Sequence, residues 1–425
     1  MSTTSTSVEW QLAKQRPGAL SGLARGLILR RLGKPRSGRL TIADPWGTIS
    51  LGDGDTELEV HVHHPRFYLD LLFGGSLGAA KAYMEGHWSA SDLPAVFRFF
   101  IHNAEEADGL DHGLARLSAK SAALLHRLRA NTQTGSRHNI REHYDLGNDL
   151  FGLFLDDTMT YSAGVFESDA SDLRSASTAK LDRICRKLGL SPADHVVEIG
   201  GGWGSFAIHA ATNYGCRVTT TTISEQQYRL ARERIAAAGV SDRVELLLED
   251  YRDLDGTYDK LVSIEMIEAV GHEFLPQYFQ RCAELLHPRG QMLLQAITMP
   301  DHRYRQYLKQ SDFIQRYIFP GSCCPAVSAI MGAVSEASDL KPVHLEDIAA
   351  HYARTLRLWR QRFLAAQQQV LDLGYPARFI RLWDYYLSYC EAGFTERYLG
   401  DIQLVLNKPG CRNNPMVQAL PAVQL

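Results

Sequence analysis

The sequence predicts an α/β protein. Its larger part is a Rossmann-like, mostly parallel sheet of seven strands with helices on both faces and a helical cover, and a small α+β domain precedes it. Three observations predict this. Strand-like and helix-like segments alternate from residue 195 onward, the pattern of βαβ units. A glycine-rich turn, "GGGWG" at 200–204, follows the first of those strands, where ligands of such sheets collect. Residues 40–62 instead show short alternating segments broken by glycines, the mark of a separate small sheet.

The first domain is expected over residues 1–130. It opens with Lys14, Arg16, Arg25, Arg30, Arg31, Lys34, Arg36 and Arg39, with no acid between Glu9 and Asp44 and with leucines and Ile28 interleaved. The overall charge of −3 hides this asymmetry: residues 1–141 hold 17 Lys and Arg against 13 Asp and Glu, the remainder 28 against 35. A basic stretch carrying apolar residues suits an anionic membrane surface. No binding motif or aromatic platform points to nucleic acid. "TISLGDG" (48–54) and "ELEVHVHH" (57–64) read as strands, and "LDLLFGGSLGAAKAYMEGHW" (69–88) as helical pieces broken at glycines. The polar, breaker-rich "NTQTGSRHNI" places a linker at 131–141.

The second domain is expected over 142–410, with a tail at 411–425. Its first five strands are "HVVEI" (195–199), "CRVTTTT" (216–222), "VELLL" (244–248), "KLVSIEM" (260–266) and "GQMLLQAI" (290–297). Two more, "KPVHLEDI" (341–348) and "DIQLVLNK" (401–408), follow inserts at roughly 300–338 and 350–395 that are rich in Tyr, Phe and Trp and read as the cover.

At 425 residues and 45% hydrophobic, the chain can build two cores. The first residues, "MSTTSTSV", lack the charged and apolar regions of a signal peptide, and no run of about 18 apolar residues follows. The expectation is a cytoplasmic protein held peripherally at the inner face of the membrane. Seven cysteines without a CxxC pair predict reduced thiols and neither a disulfide framework nor a metal site.

The glycine spacing Gly200-x-Gly202-x-Gly204 departs from the GxGxxG that seats a dinucleotide pyrophosphate. Glycines let a ligand approach the backbone, and Glu198 just before them can meet an ammonium or a bound water. The ligand predicted is S-adenosylmethionine. At the next strand ends, Thr222 and Gln227 can reach its ribose or methionine part, Asp250 can accept from the adenine amine, and Tyr251 can pack on the ring. The fourth strand ends in "SIEMIEAVG" (263–271), which sets Glu265 and Glu268 among apolar residues; buried acids need a partner or a use.

With "HYDLGNDLFGLFLDDTMTYSAGVFE" (143–167), the glycine turn, "IEAVGHE" (267–273), "RYIFPGSCCP" (316–325) and "DIQLVLNK", the chain resembles the cyclopropane fatty acid synthase family from about residue 140 to 410. "AYMEGHWSASDL" (82–93) is similar to its bacterial phospholipid-acting members, which carry an extra lipid-binding domain. The resemblance implies a class I methyltransferase fold and transfer of a methyl group from S-adenosylmethionine to the cis double bond of acyl chains in membrane phospholipid, with closure to a cyclopropane. It places Tyr161, Ser162, Gly200, Gly202, Thr222, Gln227, Asp250 and Tyr251 in cofactor-contacting segments. It also implies a bicarbonate base held by a Cys, a Glu, a His, a Tyr and a backbone group. Glu268 and Tyr352 hold the Glu and Tyr positions and Ile297 the backbone one, but Ala163 replaces the Cys and Gln295 the His. Where the family usually shows Gly, this chain has Glu265. The expectation is that the Glu265 carboxylate replaces bicarbonate, oriented by Glu268 and Tyr352, with Gln295 as a neutral donor. Cys390 matches a Cys once regarded as catalytic, while Tyr317, Phe319 and Trp359 can face a cation with their rings.

Loss of the proton from the transferred methyl closes a cyclopropane; loss from a neighbouring chain carbon leaves a methyl-branched olefin. Both outcomes stay open, as do a small-molecule methyltransferase, a non-catalytic lipid carrier, and the oligomeric state, a homodimer included.

Overall fold

The computed structural model describes residues 17–33, 35–54, 57–103, 147–413 and 420. The expected linker at 131–141 lies outside them, as do Lys14, Arg16 and Lys34 of the basic stretch. The chain divides into two compact units: Met1–Ser121 with Gly374–Tyr389, and Ala122–Leu373 with Cys390–Leu425.

In the first unit, β1 (Arg39–Asp44), β2 (Gly47–Leu51), β3 (Glu57–Val62) and β4 (Trp88–Ala90) form a sheet of order β2-β1-β3-β4, with β1 and β3 parallel. Leu40, Ile42, Leu58, Val60 and Val62 alternate onto its buried face. The helix Phe67–Met84 is interrupted at Gly75, one of the expected glycine breaks. The helix Ala19–Leu32 is apolar on two faces. Ala24, Ile28 and Leu32 are buried, whereas Leu20, Leu23 and Leu27, also at spacings of three and four, are 73%, 68% and 47% exposed. Arg25 is tied to Asp44 at 2.6 Å, while Arg30, Arg31, Arg36 and Arg39 are exposed.

In the second unit, β5 (His195–Ile199), β6 (Arg217–Thr221), β7 (Val244–Leu247), β8 (Tyr258–Ile264), β9 (Leu286–Thr298), β10 (Lys341–Asp347) and β11 (Gly400–Asn407) form one sheet of order β10-β11-β9-β8-β5-β6-β7. The five strands β5–β9 are parallel, and β11 runs antiparallel between β9 and β10. All seven expected strands are present. Both faces are covered, so neighbouring residues enter opposite cores: Val197, Leu261, Leu294 and Leu404 one, and Val196, Val262, Leu293 and Val405 the other. The helix Val327–Ala337 falls within the expected cover but gives Ile330, Ala333 and Val334 to the first of these cores. The helix Leu173–Leu188 starts on an Asp172 side-chain cap and ends on Gly189 in the left-handed conformation. It buries Lys180, Arg183 and Lys187 beside Leu181, Ile184 and Leu188. No described helix is long and apolar enough to cross a membrane.

Candidate active site

The glycine turn joins β5 to the helix Ser205–Tyr214. Gly200 and Gly202 have φ of 83° and 55°. A Cβ added at Gly202 would meet nothing within 4 Å, so open space lies against the backbone there. One added at Gly201 would collide with Thr220 Oγ1, which donates to Glu198 Oε2 at 2.7 Å. Burial raises the Glu198 carboxyl to about 7 against the pull of Thr220 and Lys180. A cradle without side chains beside a buried acid fits a nucleoside carrying an amino-acid part.

The side chains of the other expected cofactor residues are engaged with protein groups. Thr222 Oγ1 donates to Gln227 Oε1 at 2.8 Å. Both oxygens of Asp250 are engaged by the Arg252 guanidinium, at 2.8 and 2.7 Å, so this carboxylate is paired with a cation. Tyr251 meets Tyr278 edge-on at 5.5 Å. Trp203 Nε1 donates to Asn148 Oδ1 at 2.7 Å, and Tyr161 packs between Phe151 and Trp359, at 5.1 and 5.2 Å. Ser162 Oγ accepts from Lys180 Nζ at 2.9 Å.

The next residue reaches the second half of the site. The backbone N–H of Ala163 donates to Glu265 Oε1 at 2.9 Å, Gln295 Nε2 donates to the same oxygen at 2.7 Å, and the Tyr352 hydroxyl donates to Oε2 at 2.6 Å. Glu265 sits just past β8 with φ of 48°, a left-handed conformation unusual and strained for a side-chain-bearing residue. That strained turn aims its carboxylate at the three donors. Residue 266 abuts the cofactor turn, since a Cβ at Gly200 would lie 2.8 Å from Met266 Cγ.

Glu268, expected to orient Glu265, instead accepts from the backbone N–H of Ile297 at 2.5 Å, and its other oxygen is buried without a partner among the described residues. Burial and then the charge of Glu265 push its carboxyl up to about 8. Burial also raises Glu265, against its three donors and Lys180. The buried Asp401 forms the third acid of the cluster. Its Oδ2 accepts from Gln295 Nε2 at 3.2 Å and its Oδ1 has no hydrogen-bond partner among the described residues; burial, Glu265 and Glu268 hold it well above the carboxylate range. Lys180 is the buried cation facing Glu265, Asp401 and Glu198, and burial lowers it to about 8. Three buried carboxyls beside one cation disfavour full ionisation, and the three donors on Glu265 favour the charge there over Glu268 and Asp401.

Cys390 is half-buried and makes no hydrogen bond to these groups among the described residues, and burial pushes its thiol far up, away from a thiolate. Trp359 lies 6.2 Å from Tyr352, edge to face, and Tyr317 packs on Phe313. The sequence reading missed Lys180, Lys187, Asp401 and Gln403. Lysines on an amphipathic helix read as solvated, although the alternating polar residues Asp401 and Gln403 in an otherwise apolar strand carried a signal.

A family model described as mycolic acid cyclopropane synthetase matches residues 131–404. The chain belongs to that family. It is 40% identical over 400 residues to the tuberculostearic acid methyltransferase UfaA1 of Mycobacterium tuberculosis, covering 92% of each chain. It is 37% identical over 354 residues to the cyclopropane-fatty-acyl-phospholipid synthase of Escherichia coli, covering 83% of this chain and 87% of that one. A solved structure of the mycolic acid cyclopropane synthase CmaA1, complexed with SAH and CTAB, is similar with a TM-score of 0.60 and 31% identity, over 64% of this chain and 98% of that one. The protein is therefore an S-adenosylmethionine-dependent methyltransferase of the cyclopropane synthase family, transferring one carbon to unsaturated lipid chains.

Proposed function

We propose that this protein methylates the cis double bond of acyl chains in membrane phospholipid and that Glu265 is the base that completes the reaction, leaving a mid-chain methyl-branched olefin. The observation that carries this reading is the Glu265 carboxylate held by Ala163 N–H, Gln295 and Tyr352. These are positions at which the resemblance puts the anion's holders.

S-adenosylmethionine, when bound, would supply an electrophilic methyl group: the alkene's π pair forms the new C–C bond, the S–CH3 bond breaks with its pair on sulfur to leave S-adenosylhomocysteine, and a neighbouring acyl carbon is left cationic. A C–H bond beside that cation is very acidic. Glu265 takes the proton on a carboxylate oxygen, and the C–H pair becomes the new double bond. Tyr352 and Gln295 hold the carboxylate still, and position matters more than basicity for so acidic a proton. The ring of Trp359 packs against both Tyr161 and Tyr352, which supports a part for it in stabilising the cation. Glu268 and Asp401, both raised, supply neutral acid beside the charged one.

The branched product is chosen because the relative matched over 92% of both chains is named as a tuberculostearic acid methyltransferase and not as a cyclopropane synthase. A cyclopropane is the second reading, favoured by the 37% identical phospholipid synthase, and it needs the same cation and the same base. The exposed face of Leu20, Leu23 and Leu27, with Arg30 and Arg31 in the last helical turn, supports peripheral docking on an anionic lipid surface.

The test is expression in a host that makes cis-monounsaturated phospholipid but has no synthase of its own, followed by gas chromatography and mass spectrometry of its fatty acids. A methyl-branched olefin is expected. A saturated ring of the same mass would replace the first product reading by the second. An unmodified lipid pool with purified protein that binds S-adenosylmethionine would overturn the substrate.

A further inference from the structure

The row of polar side chains that starts at Glu265 does not end at Gln295. Gln295 and Gln403 are direct register partners on β9 and β11, and Gln403 and Glu346 are direct partners on β11 and β10. Gln403 Nε2 donates to Gln295 Oε1 at 3.0 Å. Lys187 Nζ donates to Gln403 Oε1 at 2.7 Å and to Glu346 Oε2 at 2.7 Å. Both glutamines are fully buried, and Lys187 is 2% exposed. The row crosses three strands beneath the helix Leu173–Leu188, and its far end is clamped by Arg183 on Glu346.

A buried amide can face either way when its neighbours both donate and accept. Here the direction is fixed from one end. A lysine ammonium has three donors and no acceptor, so Gln403 must turn its oxygen to Lys187 and its nitrogen to Gln295. Gln295 must then offer its oxygen to Gln403 and its nitrogen to Glu265 and Asp401. We propose that Lys187 and Gln403 are positioning residues for the reaction: through two amides they fix the orientation of Gln295, so that Glu265 always meets an N–H donor and stays the proton acceptor. With the order reversed, Gln295 would present its carbonyl to Glu265, and the carboxyl could satisfy it only by carrying a proton. A protonated Glu265 takes no proton from the cation. The inference rests on the reading of Glu265 as the base.

The experiment uses the full-length protein, vesicles of cis-monounsaturated phosphatidylglycerol and S-adenosylmethionine, with release of S-adenosylhomocysteine as the readout. Four variants are compared with wild type: Lys187→Met, Lys187→Arg, Gln403→Glu and Glu265→Gln. Lys187→Met should lower kcat by about tenfold, with KM for both substrates within about twofold, and should move the acid limb of the kcat–pH profile up by about one unit, because an acceptor that loses a donor binds its proton more tightly. Lys187→Arg, which also only donates, should restore most of kcat and the limb. Gln403→Glu keeps a partner for Lys187 but offers Gln295 only acceptors, so it should fold and still show the same loss and the same upward limb. Should Lys187→Met melt far below wild type, Gln403→Glu carries the test alone. Wild-type kcat and pH limb in a folded Lys187→Met or Gln403→Glu, with Glu265→Gln inactive, would overturn the relay and leave the base standing. Full activity in Glu265→Gln would overturn both.

Discussion

The two halves of the large sheet build their shares of the site from different material. At the ends of β5 to β7 the binding surface is mostly backbone: a glycine turn with open space at Gly202, flanked by groups already satisfied by one another, Thr222 by Gln227 and Asp250 by Arg252. At the ends of β8, β9 and β11 it is side chain, with three buried carboxyls, a lysine and two glutamines, and with Gln295 joining Glu265, Asp401 and Gln403. A backbone cradle keeps its shape whatever the protonation state around it. A buried polar network changes character when a single proton moves or one partner is lost. On the proposed reading, the first half holds the methyl donor and the second manages the proton.

The sharpest way to break this division is Glu265→Gln. The substitution keeps size and shape but removes the proton acceptor, and loss of a general base lowers turnover by about 10²–10⁴. Calorimetric affinity for S-adenosylmethionine should stay within about twofold, since the glycine turn is untouched. A parallel fall in affinity would show that the halves are one site and not two.

Gly202→Val probes the other half. Its side chain would fill the open space and would also sit at a φ of 55° that β-branched residues avoid. Affinity for S-adenosylmethionine should fall by about tenfold or more, which is ~1.4 kcal/mol or more. The acid limb of the kcat–pH profile should not move, because the Glu265 donors are elsewhere; a shifted limb would contradict the division.

Stability against pH sharpens the comparison further. Glu268 is raised to about 8 and Glu198 to about 7, so between about pH 4.5 and 8 the folded state holds protons that the unfolded chain has released. Their contribution is fully present below the ordinary carboxyl range and is lost as pH rises through 7 and 8. The melting temperature of wild type should therefore decline over this window on account of these groups. Glu268→Gln, neutral at every pH, should flatten that decline, and an unchanged slope would mean that Glu268 is already ionised in the fold.

The same contrast decides what could be read in advance. Strands β5, β8 and β9 were legible because burial on both faces leaves runs rich in apolar residues, and the turn after β5 was legible because its positive φ angles favour glycine, which is written in the sequence itself. Glu265 stood out as a charge in an apolar run. Of its partners, Tyr352 and Gln295 were expected from the resemblance alone, whereas Ala163 contributes a backbone N–H that any residue would supply, and Asp401 and Gln403, which meet Gln295, are distant in sequence. Lys180 and Lys187 follow a spacing that reads as a solvated helix face, and only the sheet packed over that face reveals them as buried. The direction of the Glu268 side chain, toward Ile297 and not toward Glu265, depends on backbone geometry that no spacing encodes.

The smallest effect on the chemistry is expected from the first unit. In the helix Ala19–Leu32, one apolar stripe is used internally and a second, Leu20, Leu23 and Leu27, meets solvent. Leaving three leucines exposed forgoes roughly 1.5–3 kcal/mol for each that could be fully buried, a loss that insertion among lipid chains would recover in part. Replacing all three with Ser should leave the melting temperature near wild type, because none contributes to the internal stripe. Affinity for S-adenosylmethionine should also hold. Sedimentation with vesicles containing anionic lipid should weaken by about tenfold or more, and added salt should weaken wild type further by screening Arg30 and Arg31. Equal vesicle binding by the triple variant would remove this helix from the lipid-facing surface and leave the exposed stripe without a use.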